Sequence, residues 1–306
     1  MFFVYLVVNN LFKIGVDGGG TKTELILVDS VGAIVARHTT AGSNPSHVGA
    51  EQARVTLITA LDALLAQSPS ASDKISRTRL FMAGSTTFWQ QLAESLPGYG
   101  EVLAADDSLP VIELATKGAP GLVLHAGTGS FVAARAPDGS LHYAGGLGWK
   151  LGDPGSAFDV GRRGIARALL ELQGWVSPTP LAEARCRHAG FADAAMIRRF
   201  FYSADDANAR IAAFAPVVTE LAGQGCHPAQ LVLVESITEL VEQARCVTAQ
   251  LFKDKLVTCG VSGALLNSEP AVHTLRSLVT THAWPVGLCF ITEPPIEGVR
   301  RLLLKS

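Results

Sequence analysis

A glycine-rich hairpin between residues 14 and 29 is the first place where the sequence could do chemistry. The apolar run 14–16 ends in Asp17, and three successive glycines are followed by Thr-Lys-Thr before a second apolar run begins. Successive glycines let the backbone turn sharply and bring its N–H groups close to an anion. Threonine hydroxyls add donors, and Asp17 suits a cation held on phosphates. The pattern predicts a cradle for nucleotide phosphates, and an ordinary glycine-rich hairpin is the alternative.

The order of residues distinguishes this hairpin from other phosphate-binding loops. A Walker A loop needs G-x-x-x-x-G-K-[ST], whereas Lys22 here follows a threonine. A Rossmann loop opens onto a helix, whereas residues 24–29 have the apolar pattern of a strand. A second turn of the same kind, at residues 127–130, also lies between two predicted strands. Each half of the chain therefore begins with a strand, a glycine/hydroxyl turn and a strand.

Composition indicates a folded protein of one large or two medium domains. The chain has 306 residues, of which 48% are hydrophobic and 17% are charged, so we expect a sizeable core and little disorder. It has 25 basic and 27 acidic residues and no long basic run, so we expect no nucleic-acid partner. The 5 cysteines have no C-x-x-C spacing, which fits a reducing cytoplasm rather than a zinc or disulfide framework.

The N-terminal residues 1–8 are apolar but too few to span a bilayer, and they lack the basic segment and cleavage site of a signal peptide. We expect an edge strand or an extension of the start there, no membrane partner, and a cytoplasmic location.

Hydrophobic periodicity predicts an α/β fold with mixed sheets. Strands are expected three times within 13–40 and near 80–84, 102–105, 122–126, 131–135 and 256–259. Helices are expected over about 47–67, near 87–96, through most of 156–252 and over 296–304.

Two glycine/hydroxyl hairpins, one in each half, are similar to the phosphate-binding plan of the sugar kinase/actin/heat-shock chaperone superfamily. More narrowly, the chain resembles the N-acetylglucosamine kinase branch, which also includes bacterial glucosamine kinases and the ATPase activators of acyl-CoA reductases and dehydratases. The segments that match this branch, in order, are residues 16–23, 42–44, 105–107, 126–130, 145–157, 259–263 and 293–298.

The resemblance implies an α/β fold of two ribonuclease H-like, actin-type domains. Each would have a mixed five-stranded sheet flanked by helices, with nucleotide and sugar in the cleft between the domains. The N-terminal domain would cover residues 1–118, with the first phosphate motif and the catalytic aspartate, and the C-terminal helix 292–306 would pack back on it. The C-terminal domain would cover residues 119–291, with the second phosphate motif and the adenosine motif. We also expect a homodimer.

The resemblance further implies an ATP-dependent amino-sugar kinase that phosphorylates N-acetylglucosamine at its 6-hydroxyl, giving N-acetylglucosamine 6-phosphate and ADP. Such a transfer needs positioning, charge neutralisation and a base for the hydroxyl proton. Asp107, at a predicted strand end, is expected to be that base, and Asp106 is the runner-up because the local match to the family is ambiguous by one residue. Asp17 is expected to hold Mg²⁺ through water. A surface turn is the alternative for both residues 106 and 107.

The family's site residues transfer to matching positions of this sequence. Those expected to contact ATP are Gly18, Gly19, Gly20, Thr21, Lys22, Thr23, Gly127, Thr128, Gly129, Gly260 and Val261. Those expected to contact the sugar are Asn44, Asp107, Ser130, Phe131, Gly146, Leu147, Gly148 and Asp153. From the residues alone, Asp153 could instead stand at a helix N-terminus, and Asn44 could belong to a plain turn. Many family members have Gly-Trp-Gly where this chain has Leu147 between glycines, which leaves the acceptor open.

Three other functions remain open. A glucosamine or glucose kinase is the close alternative to an N-acetylglucosamine kinase. An ATPase activator of an acyl-CoA reductase or dehydratase would carry an iron–sulfur cluster on cysteines at a dimer interface. Cys226 and Cys259, each with one neighbouring glycine, are not set in the glycine-flanked contexts that we expect for this. A sugar-binding protein without catalysis is disfavoured because Asp17, Asp107 and both hairpins are present.

Overall fold

The computed structural model describes residues 11–202, 206–253 and 255–305. The apolar run 1–8, for which we expected an edge strand or an extension, lies outside these residues. Within the described part of the chain, no helix is both long enough and apolar enough to cross a membrane.

The described residues contain both strands and helices. The strands are β1 (Phe12–Gly18), β2 (Lys22–Val28), β3 (Ile34–Ala41), β4 (Ile75–Met82), β5 (Glu101–Asp106), β6 (Gly121–Ala126), β7 (Ser130–Arg135), β8 (Leu141–Gly145), β9 (Val257–Ser262) and β10 (Val286–Phe290). The helices are α1 (Pro45–Val48), α2 (Ala50–Ala66), α3 (Thr86–Glu94), α4 (Ser108–Thr116), α5 (Ala157–Leu172), α6 (Pro180–Ala189), α7 (Ala194–Tyr202), α8 (Ala207–Ala212), α9 (Ala215–Gly223), α10 (His227–Phe252), α11 (Glu269–Thr281) and α12 (Pro295–Lys305). A short 3₁₀ helix, Pro69–Lys74, precedes β4.

The chain folds into two compact units. Of the described residues, unit 1 contains those up to Leu114 together with those from Glu293 onwards, and unit 2 contains those from Ala115 to Thr292. Unit 1 holds a 5-stranded sheet in the order β3-β2-β1-β4-β5. The first three strands form an antiparallel meander, and β1 pairs in parallel with β4, which pairs in parallel with β5.

Unit 2 repeats this topology strand for strand. Its 5-stranded sheet has the order β10-β9-β6-β7-β8. Strands β6, β7 and β8 form the antiparallel meander, while β6 pairs in parallel with β9 and β9 with β10. The two mixed five-stranded sheets flanked by helices confirm the predicted fold class. The two sheets also confirm that the two halves of the chain repeat a topology, although their sequences differ.

The continuous apolar sequence of β2 follows from burial on both faces of the unit 1 sheet. Leu25 and Leu27 pack under α2 and α3, whereas Ile26 and Val28 pack under α12 on the opposite face. Because successive side chains of a strand point to opposite faces, a strand covered on both sides is apolar throughout.

The C-terminal helix α12 covers the second face of the unit 1 sheet. Val299 and Leu303 are fully buried there. Both approach Gly15 of β1 so closely that a Cβ at position 15 would lie 2.4 Å from Val299 Cγ1. Lys13 Nζ donates to the carbonyl oxygen of Leu303 at 2.8 Å. Helix α12 is therefore part of the packing that holds β1 in place.

Most of the predicted elements are confirmed, and the differences have local causes. The helix expected over 47–67 is divided into α1 and α2 at Gly49, whose φ of 83° is left-handed. Strands β8 and β10 and helices α4 and α11 were not predicted. Both strands lie at edges of the unit 2 sheet, and β8 has exposed residues that give no clean alternation. The edge position explains why the hydrophobic pattern of these strands is weak, because a strand with only one neighbouring strand is less enclosed and needs fewer apolar residues.

Candidate active site

The first glycine hairpin connects β1 to β2 and is tied to two neighbouring loops. Within the hairpin, the Gly19 N–H donates to the carbonyl oxygen of Lys22 at 2.9 Å. The Ser43 N–H donates to the Gly19 carbonyl at 3.1 Å, and the Ala83 N–H donates to the Gly18 carbonyl at 2.7 Å. The hairpin is thus held from both sides, while Gly20, Thr21 and Lys22 at its tip stay exposed.

Gly42 has no space for a side chain, because the chain after β3 passes directly over the hairpin. A Cβ at Gly42 would lie only 2.1 Å from the carbonyl oxygen of Gly20. Such a contact cannot be relieved by moving a flexible side chain, since the obstacle is backbone. The Gly-Ser-Asn loop, residues 42–44, contains the predicted sugar-contacting residue Asn44 and therefore rests on the hairpin predicted to bind phosphates.

The three hydroxyl and amino side chains of this hairpin have different surroundings. Thr21 is exposed at the tip. Thr23 is fully buried, and its hydroxyl donates to Ser43 Oγ at 2.8 Å. Lys22 is exposed and pairs with Glu24 at 3.0 Å. Thr21 is thus the hydroxyl available to a ligand, while Thr23 joins the hairpin to the Gly-Ser-Asn loop.

Carboxyl groups meet at the carboxyl edge of the unit 1 sheet, where the parallel strands β1, β4 and β5 end. Asp17 is the second-last residue of β1, and Asp107 follows the last residue of β5. Burial raises the pKa of Asp17 to about 6, against the opposing positive charge of Lys22. Burial, and then the negative charges of Asp106 and Asp17, raise the pKa of the Asp107 carboxyl well above its usual value. Asp17 and Asp107 are therefore close enough to interact electrostatically.

Asp106 and Asp107 differ in what their side chains do. Asp106 Oδ1 accepts a hydrogen bond from the Ser108 N–H at 2.9 Å, at the beginning of α4. This bond satisfies one of the backbone donors that a helix leaves open at its first turn. Asp106 thus has a structural task at the start of α4.

Asn44 caps α1, so only part of its side chain is committed. Its Oδ1 accepts from the Ser46 N–H at 3.0 Å, which leaves the Nδ2 amide to donate elsewhere. Gly84 lies against this side chain: a Cβ there would be 2.5 Å from Asn44 Oδ1. The loop after β4 thus fixes the orientation of Asn44.

The second glycine hairpin connects β6 to β7 and is built into the start of α5. The Gly127 N–H donates to the Gly129 carbonyl at 2.9 Å. The N–H groups of Ala157 and Phe158 donate to the carbonyls of Gly127 at 2.9 Å and Thr128 at 3.3 Å. The Thr128 side chain is exposed at the tip, as Thr21 is in the first hairpin. The sequence motif around residue 157 therefore secures the second hairpin.

Asp153 lies inside the loop before α5 and is only 4% exposed. Its φ of 65° is left-handed, which is uncommon for a residue other than glycine. Burial raises its pKa, against the hydrogen bonds that it accepts from the N–H groups of Gly148, at 3.2 Å, and Ser130. A Cβ at Gly129 would lie 2.6 Å from Asp153 Oδ2. In this structure Asp153 therefore ties the second hairpin to the loop that follows β8.

The loop between β8 and α5 presents apolar side chains to solvent. Leu147 is 66% exposed and Leu151 is 77% exposed, although both are large apolar residues. Trp149 packs against Phe158, with ring centroids 5.3 Å apart. Gly146 and Gly148 are also exposed, and the Gly146 N–H donates to the Ser130 carbonyl at 3.1 Å. The predicted sugar-contacting residues 146–148 thus form one exposed surface beside Ser130.

A buried hydrogen-bond network anchors the other end of this loop. Ser236 of α10 is fully buried and accepts from the Gly155 N–H at 2.9 Å. Its hydroxyl donates to Asp159 Oδ2 at 2.7 Å, and Asp159 pairs with Arg162 and Arg163. The loop carrying Asp153 is therefore fixed to the longest helix of unit 2.

Unit 2 contains a cavity of about 500 Å³ beside the second hairpin. Its lining is mostly small and apolar, with Thr219 and Glu220 of α9 as the polar members. The residues are Ala126, Gly127, Ala157, Ala215, Pro216, Thr219, Glu220, Gly223, Ala264, Leu265 and Pro270. A mostly apolar pocket of this size with few polar groups is typical of small-molecule sites.

The cavity lies next to the predicted adenosine motif but is lined by different residues. The side chain of Val261 is fully buried in the core of unit 2. Gly260 faces Ala115, whose Cβ would lie 2.5 Å from a Cβ at position 260. Ala264 and Leu265, just after β9, line the cavity instead. Sequence reasoning missed these two and all of the α9 residues, because α9 has the pattern of an ordinary packed helix.

The arrangement in unit 1 suits a divalent cation held on phosphates. In the described residues there is no group of three or more His, Cys, Asp or Glu side chains that could hold a metal ion. Mg²⁺ does not require one, since it keeps several waters and binds one or two carboxylates together with substrate phosphates. Asp17 and Asp107 repel each other when both are ionised, and a bound cation would relieve this repulsion.

Comparison with known proteins places the chain among ATP-dependent enzymes. The sequence model of the BadF/BadG/BcrA/BcrD ATPase family matches residues 14–299. A protein from Chromobacterium violaceum, whose name assigns it as a candidate N-acetylglucosamine kinase, has a similar solved structure. The TM-score is 0.78 and the sequence identity 25%, with 97% of this chain and 99% of that chain covered.

Two curated relatives are similar over most of their length. An N-acetyl-D-glucosamine kinase from Dictyostelium discoideum is 26% identical over an alignment of 262 residues, and 79% of this chain and 81% of the relative are covered. An N-acetylmuramic acid/N-acetylglucosamine kinase from Clostridium acetobutylicum is 22% identical over 263 residues, covering 84% and 86%. These similarities confirm the branch that the sequence motifs indicated.

Proposed function

Because the chain belongs to the BadF/BadG/BcrA/BcrD ATPase family, we propose that it is an ATP-dependent amino-sugar kinase. Its acceptor in this proposal is N-acetylglucosamine, phosphorylated at the 6-hydroxyl to give N-acetylglucosamine 6-phosphate and ADP. The names of the similar proteins support this acceptor class. The enzyme would act in the cytoplasm, and as a homodimer.

One observation supports phosphoryl transfer above the others. Two sheets of the same topology each present a glycine hairpin between their first two strands, with an exposed threonine at the tip. Thr21 and Thr128 can both donate to phosphate oxygens, as can the backbone N–H groups at the tips. Duplicated donors suit a polyphosphate, which carries charge at more than one phosphoryl group.

Asp107 is the proposed general base. Its neighbour Asp106 is occupied at the start of α4 by the hydrogen bond from Ser108, whereas the raised pKa of Asp107 makes it a better proton acceptor than an ordinary aspartate. A base works best when its pKa lies near the operating pH. In the reaction, Asp107 accepts the proton of the sugar 6-hydroxyl. That oxygen forms a bond to the γ-phosphorus, and the bond from this phosphorus to the β–γ bridging oxygen breaks to release ADP.

Asp17 is the proposed Mg²⁺ residue, through water. When bound, Mg²⁺ would neutralise charge on the transferring phosphoryl group. Lys22 is paired with Glu24 in this structure, so its predicted contact with ATP would require it to exchange partners.

In unit 1, Asn44 is the residue proposed to contact the sugar, and in unit 2 the loop 146–148 is proposed to do so. The Nδ2 group of Asn44 is available as a donor to a sugar hydroxyl, while its Oδ1 caps α1. Leu147 would supply an apolar contact for the N-acyl group. Asp153, Ser130 and Phe131 would shape this side of the site, and for Asp153 a direct contact with the sugar would require it to release Gly148.

The adenosine group is proposed to occupy the cavity beside the second hairpin. Small residues such as Ala215, Gly223 and Ala264 leave room for a flat base. Gly127 belongs to both the hairpin and the cavity lining, so a nucleotide in the cavity would have its phosphates at the hairpin. Gly260 and Val261 would support the cavity from the sheet.

A coupled assay of ADP release over N-acetylglucosamine, glucosamine, N-acetylmannosamine and glucose tests this proposal. We expect the highest kcat/KM with N-acetylglucosamine. A preference for glucosamine or glucose would change the assigned acceptor, whereas the assignment as a sugar kinase would stand. ADP release that no sugar accelerates, together with a stoichiometric iron–sulfur cluster in anaerobically purified protein, would favour an ATPase activator instead.

A further inference from the structure

His125 makes two side-chain contacts across the unit 2 sheet. Its ring stacks on Phe131, with centroids 4.9 Å apart and planes inclined by 25°. Its Nδ1 lies 3.2 Å from Ser262 Oγ, within hydrogen-bond distance. The strand register places the three residues side by side, since β6 pairs His125 with Phe131 on β7 and with Ser262 on β9. We call these three side chains the His125 row.

The row lies on the face of the sheet opposite the main core of unit 2. The adjacent residues Leu124, Val132 and Val261 point into that core. Because side chains alternate along a strand, His125, Phe131 and Ser262 point the other way. Packing of the main core therefore does not explain why a histidine stands at this position.

Each member of the row borders a different part of the candidate site. His125 is two residues before Gly127, and a Cβ at Gly127 would lie 3.6 Å from His125 Nε2. Phe131 belongs to the predicted sugar side. Ser262 ends β9, two residues before Ala264 of the cavity lining.

The two strand ends that meet at the row are in direct contact. Gly263 has a φ of 105°, and a Cβ there would lie 1.8 Å from the carbonyl oxygen of Ala126. The segment after β9 therefore passes immediately beside the second hairpin. A small displacement of either strand end would move the hairpin relative to the cavity.

We propose that His125 is a positioning residue of the kinase, which fixes the second phosphate hairpin through its stack on Phe131 and its hydrogen bond with Ser262. This inference rests on the proposed function. His125 would act through its neighbours, by holding the hairpin in register with the sugar side and the nucleotide side of unit 2.

The protonation state of the ring fits this role. Burial lowers the pKa of His125 to about 4, so the ring is neutral at physiological pH. A neutral imidazole has one donor and one acceptor nitrogen, and either arrangement can satisfy Ser262 Oγ. Without a positive charge the ring adds little attraction for phosphates. Replacement of the His125 ring should therefore reduce kcat more than it reduces the affinity for ATP.

Three variants separate the two contacts. H125F keeps an aromatic ring for the stack but removes the hydrogen bond, whereas H125N keeps a polar atom near Nδ1 and removes the ring. S262A removes the hydrogen-bond partner and leaves the histidine. H273F, at an exposed position of α11, is the matched control.

We expect H125F and S262A each to lower kcat by about tenfold to a hundredfold, the range that a small misplacement of reacting groups can cause. The ATP KM should stay within about threefold. The double variant should be no worse than either single variant, because both remove the same bond. H125N should be less affected in kcat than H125F, and H273F should match the wild type.

Kinetic constants of H125F and S262A within about twofold of the wild type would overturn the inference, as would effects that multiply in the double variant. If H125F does not fold, S262A alone decides between these outcomes. ADP release without an acceptor is measured in parallel, so failure of the acceptor assignment is distinguishable from failure of this inference. The ¹⁵N shifts of the His125 ring give an independent readout: titration near the ordinary histidine pKa would contradict a buried, neutral ring.

Discussion

Asp107 and Asp17 share the carboxyl edge of the unit 1 sheet, where burial, and then the charges of Asp106 and Asp17, raise the pKa of Asp107. Two carboxyl groups in one partly buried site resist losing both protons. This arrangement destabilises the metal-free protein but suits an enzyme that must take a proton and hold a cation.

The pH dependence of stability follows from this pair. A carboxyl whose pKa is raised by folding contributes stability below its unfolded pKa of about 3.9, and this is lost as the pH rises through the folded pKa. In metal-free buffer, D107N should therefore be more stable than the wild type by more than about 1 kcal/mol at pH 8, with a difference that shrinks towards pH 4. Urea unfolding at several pH values measures it.

Asp138 provides a control because its pKa is shifted in the opposite direction from that of Asp107. Its side chain accepts hydrogen bonds from Ser140, which lower its pKa. D138N should therefore lose a small amount of stability at pH 8 rather than gain it. Equal pH dependence for D107N and the wild type would show that Asp107 is not strained by its neighbours.

The hydrogen-bond network at Ser236 should contribute to stability. S236A removes the acceptor for the Gly155 N–H and the donor to Asp159, and we expect a loss of about 1–3 kcal/mol in the free energy of unfolding. T238V, on an exposed face of the same helix, is the control and should change stability by less than about 0.5 kcal/mol. If the two variants are equally stable, Ser236 does not anchor the loop.

Filling the cavity should change the KM for ATP but not the KM for the sugar. A264W places a large ring in a cavity lined by small residues, so we expect the ATP KM to rise by at least about tenfold while the sugar KM changes little. Steady-state kinetics with each substrate varied in turn measures both. A192W, at another exposed alanine of unit 2, is the control. An unchanged ATP KM in A264W would place the nucleotide elsewhere.

Leu147 should affect kcat/KM for the sugar acceptor. Because it is 66% exposed, L147A should leave stability unchanged. We expect its kcat/KM for N-acetylglucosamine to fall by about tenfold, the scale of a small apolar contact, and the ATP KM to stay constant. L256A, at a leucine that is 76% exposed, is the matched control. Equal sugar kinetics for both variants would remove Leu147 from the site.

The sequence predicted the hairpins because their chemistry is local. Glycines, hydroxyls and an aspartate within one turn are visible without knowing what else packs nearby, and the same holds for strand β2, whose apolar run requires burial on both faces. The α9 lining of the cavity could not be predicted in this way. Thr219 and Glu220 meet Ala264 only through the fold, and in sequence they stand among residues of an ordinary helix.

Some side chains were predicted as ligands but have structural partners that no motif reveals. Thr23 is turned inward to Ser43, and Asp153 binds backbone N–H groups of its own loop. Their residue types suit ligand binding and loop bracing equally well. Only the position of the neighbouring loop decides which contact forms, and that position depends on long-range packing.

The most direct test of the account is product formation by wild type and D107N, measured side by side with ATP, Mg²⁺ and N-acetylglucosamine. Phosphorus NMR identifies the sugar phosphate, and D106N is the matched control. We predict that the wild type forms N-acetylglucosamine 6-phosphate together with ADP, and that D107N binds ATP normally but has a kcat lower by about 10²–10⁴-fold. Near-wild-type turnover by D107N, or no sugar phosphate from the wild type, would contradict the account.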